Sequence, residues 1–283
     1  MCATKRSQFV SLEGAYHGHS IAAMSVGSSN YRKHFSNLLP NCHKLQAPLD
    51  TNAADQLEII LKNNEIAALI MEPIVCNLGV EIPTQTFMQR ADNLCKQYGA
   101  LLIMDEVMTG FMRTGKMFAS EHFDIAPDII CMAKGITGGY GALGATIVTD
   151  KIAKSLHKHF GFYSTFGWHP IAVEAATANI AYILAHQAAL EKNIAELSTY
   201  FVERLTAMPF QCGFKIRAKG LAMALVFDDP LYAEKIVSEA RKNGVILSTI
   251  DAGVIALFPA LTLDKAIAQQ GLDRIANALG VIE

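Results

Sequence analysis

The chain has 283 residues, 51% of them hydrophobic, enough to bury a sizeable core in one large domain or two smaller ones. Its formal net charge of -2 and pI near 6.5 provide no basic field for nucleic acid. Six cysteines without a CxxC pair, a start (MCATKRSQ) without a signal-peptide apolar core, and no uncharged apolar run of bilayer length lead us to expect a cytoplasmic protein with reduced thiols, no structural zinc and no membrane span.

Short apolar runs alternate with longer helical patterns. QFVSL reads as a strand, and IAALIM (Ile66 to Met71) as a buried one. Thr84 is placed to cap a helix through Tyr98, with Phe87, Met88, Ala91, Leu94, Cys95 and Tyr98 at helical spacing and Gly99 as its stop. ALLIMD (100–105), DIICM (128–132) and GATIVT (144–149) are three more strands. Uniformly apolar strands between helices predict an α/β fold: a mostly parallel sheet covered on both faces. From Pro170, a favoured first helical residue, to about Met208 the pattern is one long helix or two in succession. Strands FKIRA and LAMALVF, a helix over 231–243, strands VILST and VIALF, and a terminal helix follow as a small α+β unit. The expected division is 1–186 for the large domain and 187–283 for the small one.

GYGALG (139–144) matches GxGxxG by letter, but a strand-like ATIVTD follows where a dinucleotide site needs a helix. The pairs His17/His19 and His157/His159 lack a third metal ligand at a suitable spacing, so polar or surface roles are favoured for them. The chemistry concentrates elsewhere. LIMEPI ends a buried strand in Glu72, LLIMDEV ends one in Asp105 and Glu106, and DIICMAK ends one in Lys134. The carboxyl ends of strands are where α/β sites are built, and three neighbouring strands would bring Glu72, Asp105 and Lys134 to one sheet edge. Each has an ordinary reading as a turn acid or a solvated lysine. Together, an acid and a desolvated lysine suit Schiff-base chemistry. The lysine offers a free amine, and the acid holds a pyridine nitrogen protonated, the pairing that pyridoxal phosphate uses.

At these residues the sequence resembles a known family. GALLIMDEVMTGFMRTGKMFASEHFDIAPDIICMAKGITGG is similar to the centre of class III pyridoxal-phosphate aminotransferases of fold type I. EGAYHGHS, MEPI and STFGWHP match further family elements in the same order, and the likeness runs from Gln8 to the C-terminus. The resemblance implies a Schiff-base role for Lys134, which would also shuttle the substrate proton, and a pyridinium-nitrogen partner in Asp105. Val107 would pack on one face of the cofactor ring and Tyr16 on the other, with His17 beside it. Thr165 would donate to the cofactor phosphate of the partner subunit in a homodimer with shared sites, and Glu72 would line the substrate pocket. An amine donor and a 2-oxo acid or aldehyde acceptor are the implied substrates. An aminomutase or racemase of the same fold is a lesser variant.

Three departures from the family qualify this. The Ser/Gly-Thr-Glu-Ala turn that cradles the cofactor phosphate in relatives has no counterpart, which should weaken cofactor retention and expose apolar sheet surface. A chain so shortened would, on the alternative reading, serve as a partner subunit or relic without catalysis of its own. In VIALFPAL, Ala256 stands where many relatives carry a carboxylate-binding arginine, which favours amine, diamine or ω-amino donors unless Arg217 compensates. Met112 replaces a glycine usual in relatives, with no effect legible in the sequence.

Overall fold

The computed structural model describes residues 1–156 and 164–282. Strand β1 (Gln8–Leu12) leads through helix α1 (Ile21–Val26) to β2 (Cys42–Leu45). Helix α2 (Thr51–Asn63), β3 (Ile66–Met71), α3 (Gln85–Tyr98), β4 (Leu101–Asp105), β5 (Ile129–Met132) and β6 (Ala145–Val148) follow. These strands form one sheet in the order β2-β1-β3-β4-β5-β6, parallel except for the final β5–β6 pairing. The α3 ends are as the sequence predicts. The Thr84 hydroxyl accepts from Phe87 N, and Gly99 closes the helix at φ 68°, a conformation glycine adopts without strain.

One face of this sheet is closed by helices. Val10, Leu12, Leu69, Met71, Leu102 and Met104 pack against Leu57, Leu61, Phe87 and Met88 of α2 and α3 in a single core. Burying each of these larger side chains contributes roughly 1.5–3 kcal/mol. The opposite face differs from the two-sided covering expected from the sequence. Phe9, Ile70, Leu101, Ile103 and Ile129 alternate with the core residues along their strands and are only partly buried. Among the described residues its helical cover is the six-residue α1, whose Ala22, Ala23 and Val26 line a cavity of about 300 Å³ with Phe9, Ile70 and Ile103.

After α4 (Asp150–Leu156), the long apolar stretch resolves into two helices, α5 (Pro170–Ala185) and α6 (Gln187–Thr206), which meet at His186. A second, antiparallel sheet has the order β7-β8-β10-β9 and contains β7 (Phe214–Lys219), β8 (Ala222–Phe227), β9 (Ser248–Asp251) and β10 (Val254–Leu257). Helices α7 (Pro230–Lys242) and α8 (Lys265–Leu279) complete the unit. The ninth strand begins at Ser248, later than VILST predicts. Gly253, at φ 76°, turns the chain tightly, so the residues beside that turn pair with β10, while Val245 and Leu247 pack on the core as an approach segment.

The two central strands of the small sheet, β8 and β10, are buried on both faces, while β9 at its edge is exposed. Met223, Leu225, Ile255 and Leu257 face α6, α7 and α8, whereas Ala222, Ala224 and Val254 join the core of the large sheet. Arg217 of β7 reinforces this junction. Its guanidinium bonds Leu78 O at 2.9 Å and Gly79 O at 3.2 Å and pairs with Glu81 at 2.8 Å. No helix among the described residues is long and apolar enough to cross a membrane.

Candidate active site

Strands β3, β4 and β5 are neighbours and parallel, so their carboxyl ends emerge side by side. Glu72 follows β3, Asp105 closes β4, and Lys134 lies two residues past β5. The structure therefore brings to one edge the three residues singled out from the sequence, but it treats them differently.

Asp105 is buried and reaches two partners. Its Oδ1 accepts from Val107 N at 3.0 Å, and its Oδ2 lies 2.7 Å from His17 Nδ1. The His17 side chain is only 2% exposed. Its second nitrogen, Nε2, is buried with no partner among the described residues. Tyr16 next to it is 39% exposed, with its ring edge-on to His19 at 5.0 Å. His19 contacts Tyr31 as well, and no group of metal-ligating side chains occurs among the described residues. His157 and His159 lie outside the described residues.

Glu106 turns away from this edge. It is fully buried under the following loop, where it accepts from Ala119 N at 3.0 Å, Ser120 N at 2.8 Å and the Thr109 hydroxyl. Burial raises its pKa, and those donors oppose the shift. Glu72 is 2% exposed and occupied by its own turn. It accepts from Cys76 N at 3.1 Å and from the Asn77 side-chain amide at 2.8 Å. Burial pushes its pKa up to about 7, and hydrogen bonds from Asn77 hold the rise back. It borders neither of the two larger clefts at this edge.

Lys134 is exposed, and its Nζ rests against the sulfur of Met108. Among the described residues it takes part in no ion pair. Its backbone is left-handed, at φ 46°, in the short 3-10 turn Lys134–Thr137. The facing loop carries two more non-glycine residues in that region, Phe111 at 56° and Met112 at 72°. Bulky residues rarely adopt this conformation, and such strain collects at functional sites. It also accounts for the glycine usual in relatives at the position of Met112.

A cleft of about 520 Å³ opens here, lined by Val107, Met108, Lys134, Asn179 and Tyr182 and, from the small unit, Phe258. Met108 also borders a second cleft of about 510 Å³ with Phe201, Ile246, Ala256, Leu257 and Pro259. Apolar side chains dominate that second wall, and Arg217, held by Glu81, is not among its residues. Thr165 sits on an exposed turn and lines neither cleft. Sequence reasoning missed Met108 and Asn179. A methionine after a strand carries no signal. Asn179 did carry one, as the lone amide side chain of α5.

Comparison with known proteins gives the family and the fold. The family model described as aminotransferase class-III matches residues 1–279. An amine transaminase from an uncultivated Pseudomonas species, solved in its PLP-bound form, is 32% identical with a TM-score of 0.85 and covers 97% of this chain and 70% of its own. A transaminase solved with L-alanine is 26% identical with a TM-score of 0.88, covering 98% and 73%. An aminotransferase from Bacillus anthracis is 26% identical with a TM-score of 0.86, covering 98% and 70%.

Proposed function

The chain belongs to the class III aminotransferase family, and from that premise we infer that it moves an amino group from an amine or ω-amino donor to a 2-oxo acid or aldehyde. Aminotransferase chemistry and pyridoxal phosphate as the cofactor come with the family. The donor class is our reading, and one observation carries it. Ala256, where a carboxylate-binding arginine would be expected, is part of an apolar cleft that shares Met108 with the cleft of Lys134. A donor whose remainder is apolar would be sheltered there, whereas a carboxylate would lose water without gaining a cation. Glu72, expected to line the substrate pocket, is given no part in binding the donor, because its oxygens are taken by the 76–77 turn.

The residues present fit the ring end of pyridoxal phosphate. A buried carboxylate braced by a histidine stands on one strand end, and an amine free of described ion pairs stands near the next. When bound, the cofactor supplies an aldehyde carbon and a ring that withdraws electrons. The chain's own residues do the rest. Asp105 would hold a proton on the ring nitrogen, with His17 fixing the aspartate's orientation. Val107 would back the ring from the β4 end, and Tyr16 would cover the other side. With the cofactor bound, Lys134 would be the amine that holds its aldehyde carbon and the group that would move the proton at the donor's amino-bearing carbon.

A homodimer is also our reading. Tyr140, Phe166, Trp168 and Ile171 are exposed near the start of α5, and Thr165 lies among them. An apolar group of this kind suits a partner interface, and would place Thr165 at the partner's cofactor phosphate. We propose the division 1–186 for the large domain and 187–283 for the small one.

The test is a donor screen on purified chain supplied with pyridoxal phosphate, beside Lys134→Ala. Apolar and ω-amines should be accepted at least tenfold better than α-amino acids of the same size. Preference for α-amino acids would overturn the donor assignment. If borohydride fixes no pyridoxyl group to Lys134, the chain is not an independent transaminase.

A further inference from the structure

We propose that Asn179 is a positioning residue for Lys134, clamping the turn that carries the lysine in its left-handed backbone state. The inference rests on the reading of Lys134 as the amine that captures the cofactor, and it adds a residue that neither the sequence motifs nor the family match assigns.

The Asn179 amide reaches across from α5 to the turn. Its Nδ2 donates to Gly135 O at 2.8 Å and to Ile136 O at 3.2 Å, the first two carbonyls after the lysine's own. On the same amide, Oδ1 stands where a side chain on Gly138 would be: a Cβ there would lie 2.9 Å from it. The opposite side of the turn is closed by Phe111, because a Cβ on Gly135 would stand 3.1 Å from Phe111 Cβ. The turn is therefore held between an amide on one side and an aromatic loop on the other, with Ile136 anchored in the core that contains Ala176 and Ile183 of α5.

Such a clamp has work to do. A lysine at φ 46° is strained, and rotation to an ordinary φ would relieve the strain and swing the side chain away from the cleft. The strain of one left-handed residue and the net worth of two hydrogen bonds are of the same order. Removing the two donors is therefore enough to tip the balance. The chemistry also explains the residue type. An –NH2 group supplies two donors to two acceptors, an aspartate of the same shape supplies none and sets a negative charge against two carbonyls, and a serine is too short.

The experiment measures the rate at which Lys134 captures added pyridoxal phosphate. Samples are quenched with borohydride over time and the labelled lysine is located by peptide mass mapping. Asn179→Asp and Asn179→Ala are compared with wild type and with Thr177→Ala, a control on the same helix whose hydroxyl bonds only Val173 O of its own helix. Rates are normalised to folded protein by circular dichroism. We expect N179D to capture about tenfold more slowly and N179A a few-fold more slowly, with T177A unchanged. N179Q, which keeps both donors on a longer arm, should recover part of the rate. Capture by N179D and N179A within twofold of wild type, per folded molecule, would overturn the proposal while leaving the role of Lys134 intact. Absence of a Lys134 label in wild type would instead sink the role of Lys134, and this inference with it.

Discussion

Asp105 and Glu106 are consecutive and chemically near-identical, yet they belong to different parts of the molecule. Asp105 spends one oxygen on the local turn and keeps the other against a histidine that has no second partner among the described residues. Glu106 spends both oxygens on three donors of the loop beneath it and is sealed from solvent. The first is held in place without being used up, and the second is used up in holding a loop. That difference separates a residue available to a cofactor from one that builds the site's walls, and a count of acids at strand ends cannot make it.

Substituting the two carboxylates should have crossed effects. Glu106→Ala strands two buried N–H groups and a hydroxyl, each costing about 1–3 kcal/mol. It should lower stability by roughly 4 kcal/mol, read as a large drop in the melting midpoint, with the folded fraction still able to bind cofactor. Asp105→Asn should do the reverse. Losing a hydrogen bond to a charged group, worth up to about 3 kcal/mol, slows turnover on the order of a hundredfold while the midpoint moves little. If D105N melts as low as E106A and loses no more activity per folded molecule, the two carboxylates play the same structural part.

Glu72, like Glu106, is a carboxylate used up by its surroundings. Its folded pKa, about 7, lies above the ordinary value of 4.5 because burial disfavours the charge. Between those values the folded chain binds a proton that the unfolded chain has released. Stability from this group is therefore full below about pH 4.5 and is lost as pH rises towards 7, on the order of 3 kcal/mol in all. Melting at pH 5 and pH 8 should show this loss in wild type and a much smaller one in Glu72→Gln. Parallel curves for the two proteins would mean that Glu72 is charged in the folded state and not raised.

Much of this was legible in the residues themselves. Apolar runs marked the strands, and Thr84 and Gly99 marked the ends of α3. Acids and a lysine after those runs located the edge at which they gather, because a strand's last residues must emerge at its end. Three things were not legible in the local pattern. The open sheet face is invisible to hydropathy, since Ile70 and Ile103 read as core whether or not a layer covers them, and only the missing phosphate-cradling turn raised the prospect of exposed sheet surface. The occupation of Glu72 and Glu106 depends on which N–H groups later loops bring to them, a matter of tertiary closure. The clamp on Lys134 joins residues 44 apart, and nothing in local spacing reports that.

Met112 offers the smallest and cleanest test of the strained edge against the relaxed core. It is 0% exposed, so its side chain contributes burial, yet its φ of 72° belongs to the region that glycine tolerates and methionine does not. Replacing it with alanine removes the burial and keeps the strain. Replacing it with glycine removes both. In ordinary buried backbone, glycine is the less stable of the pair by roughly 0.5–1 kcal/mol. Here relief of about 1–2 kcal/mol of left-handed strain should reverse the order, so Met112→Gly should melt at or above Met112→Ala, with both below wild type. The familiar order, alanine above glycine, would show that the loop relaxes freely and that the left-handed cluster facing Lys134 stores no strain.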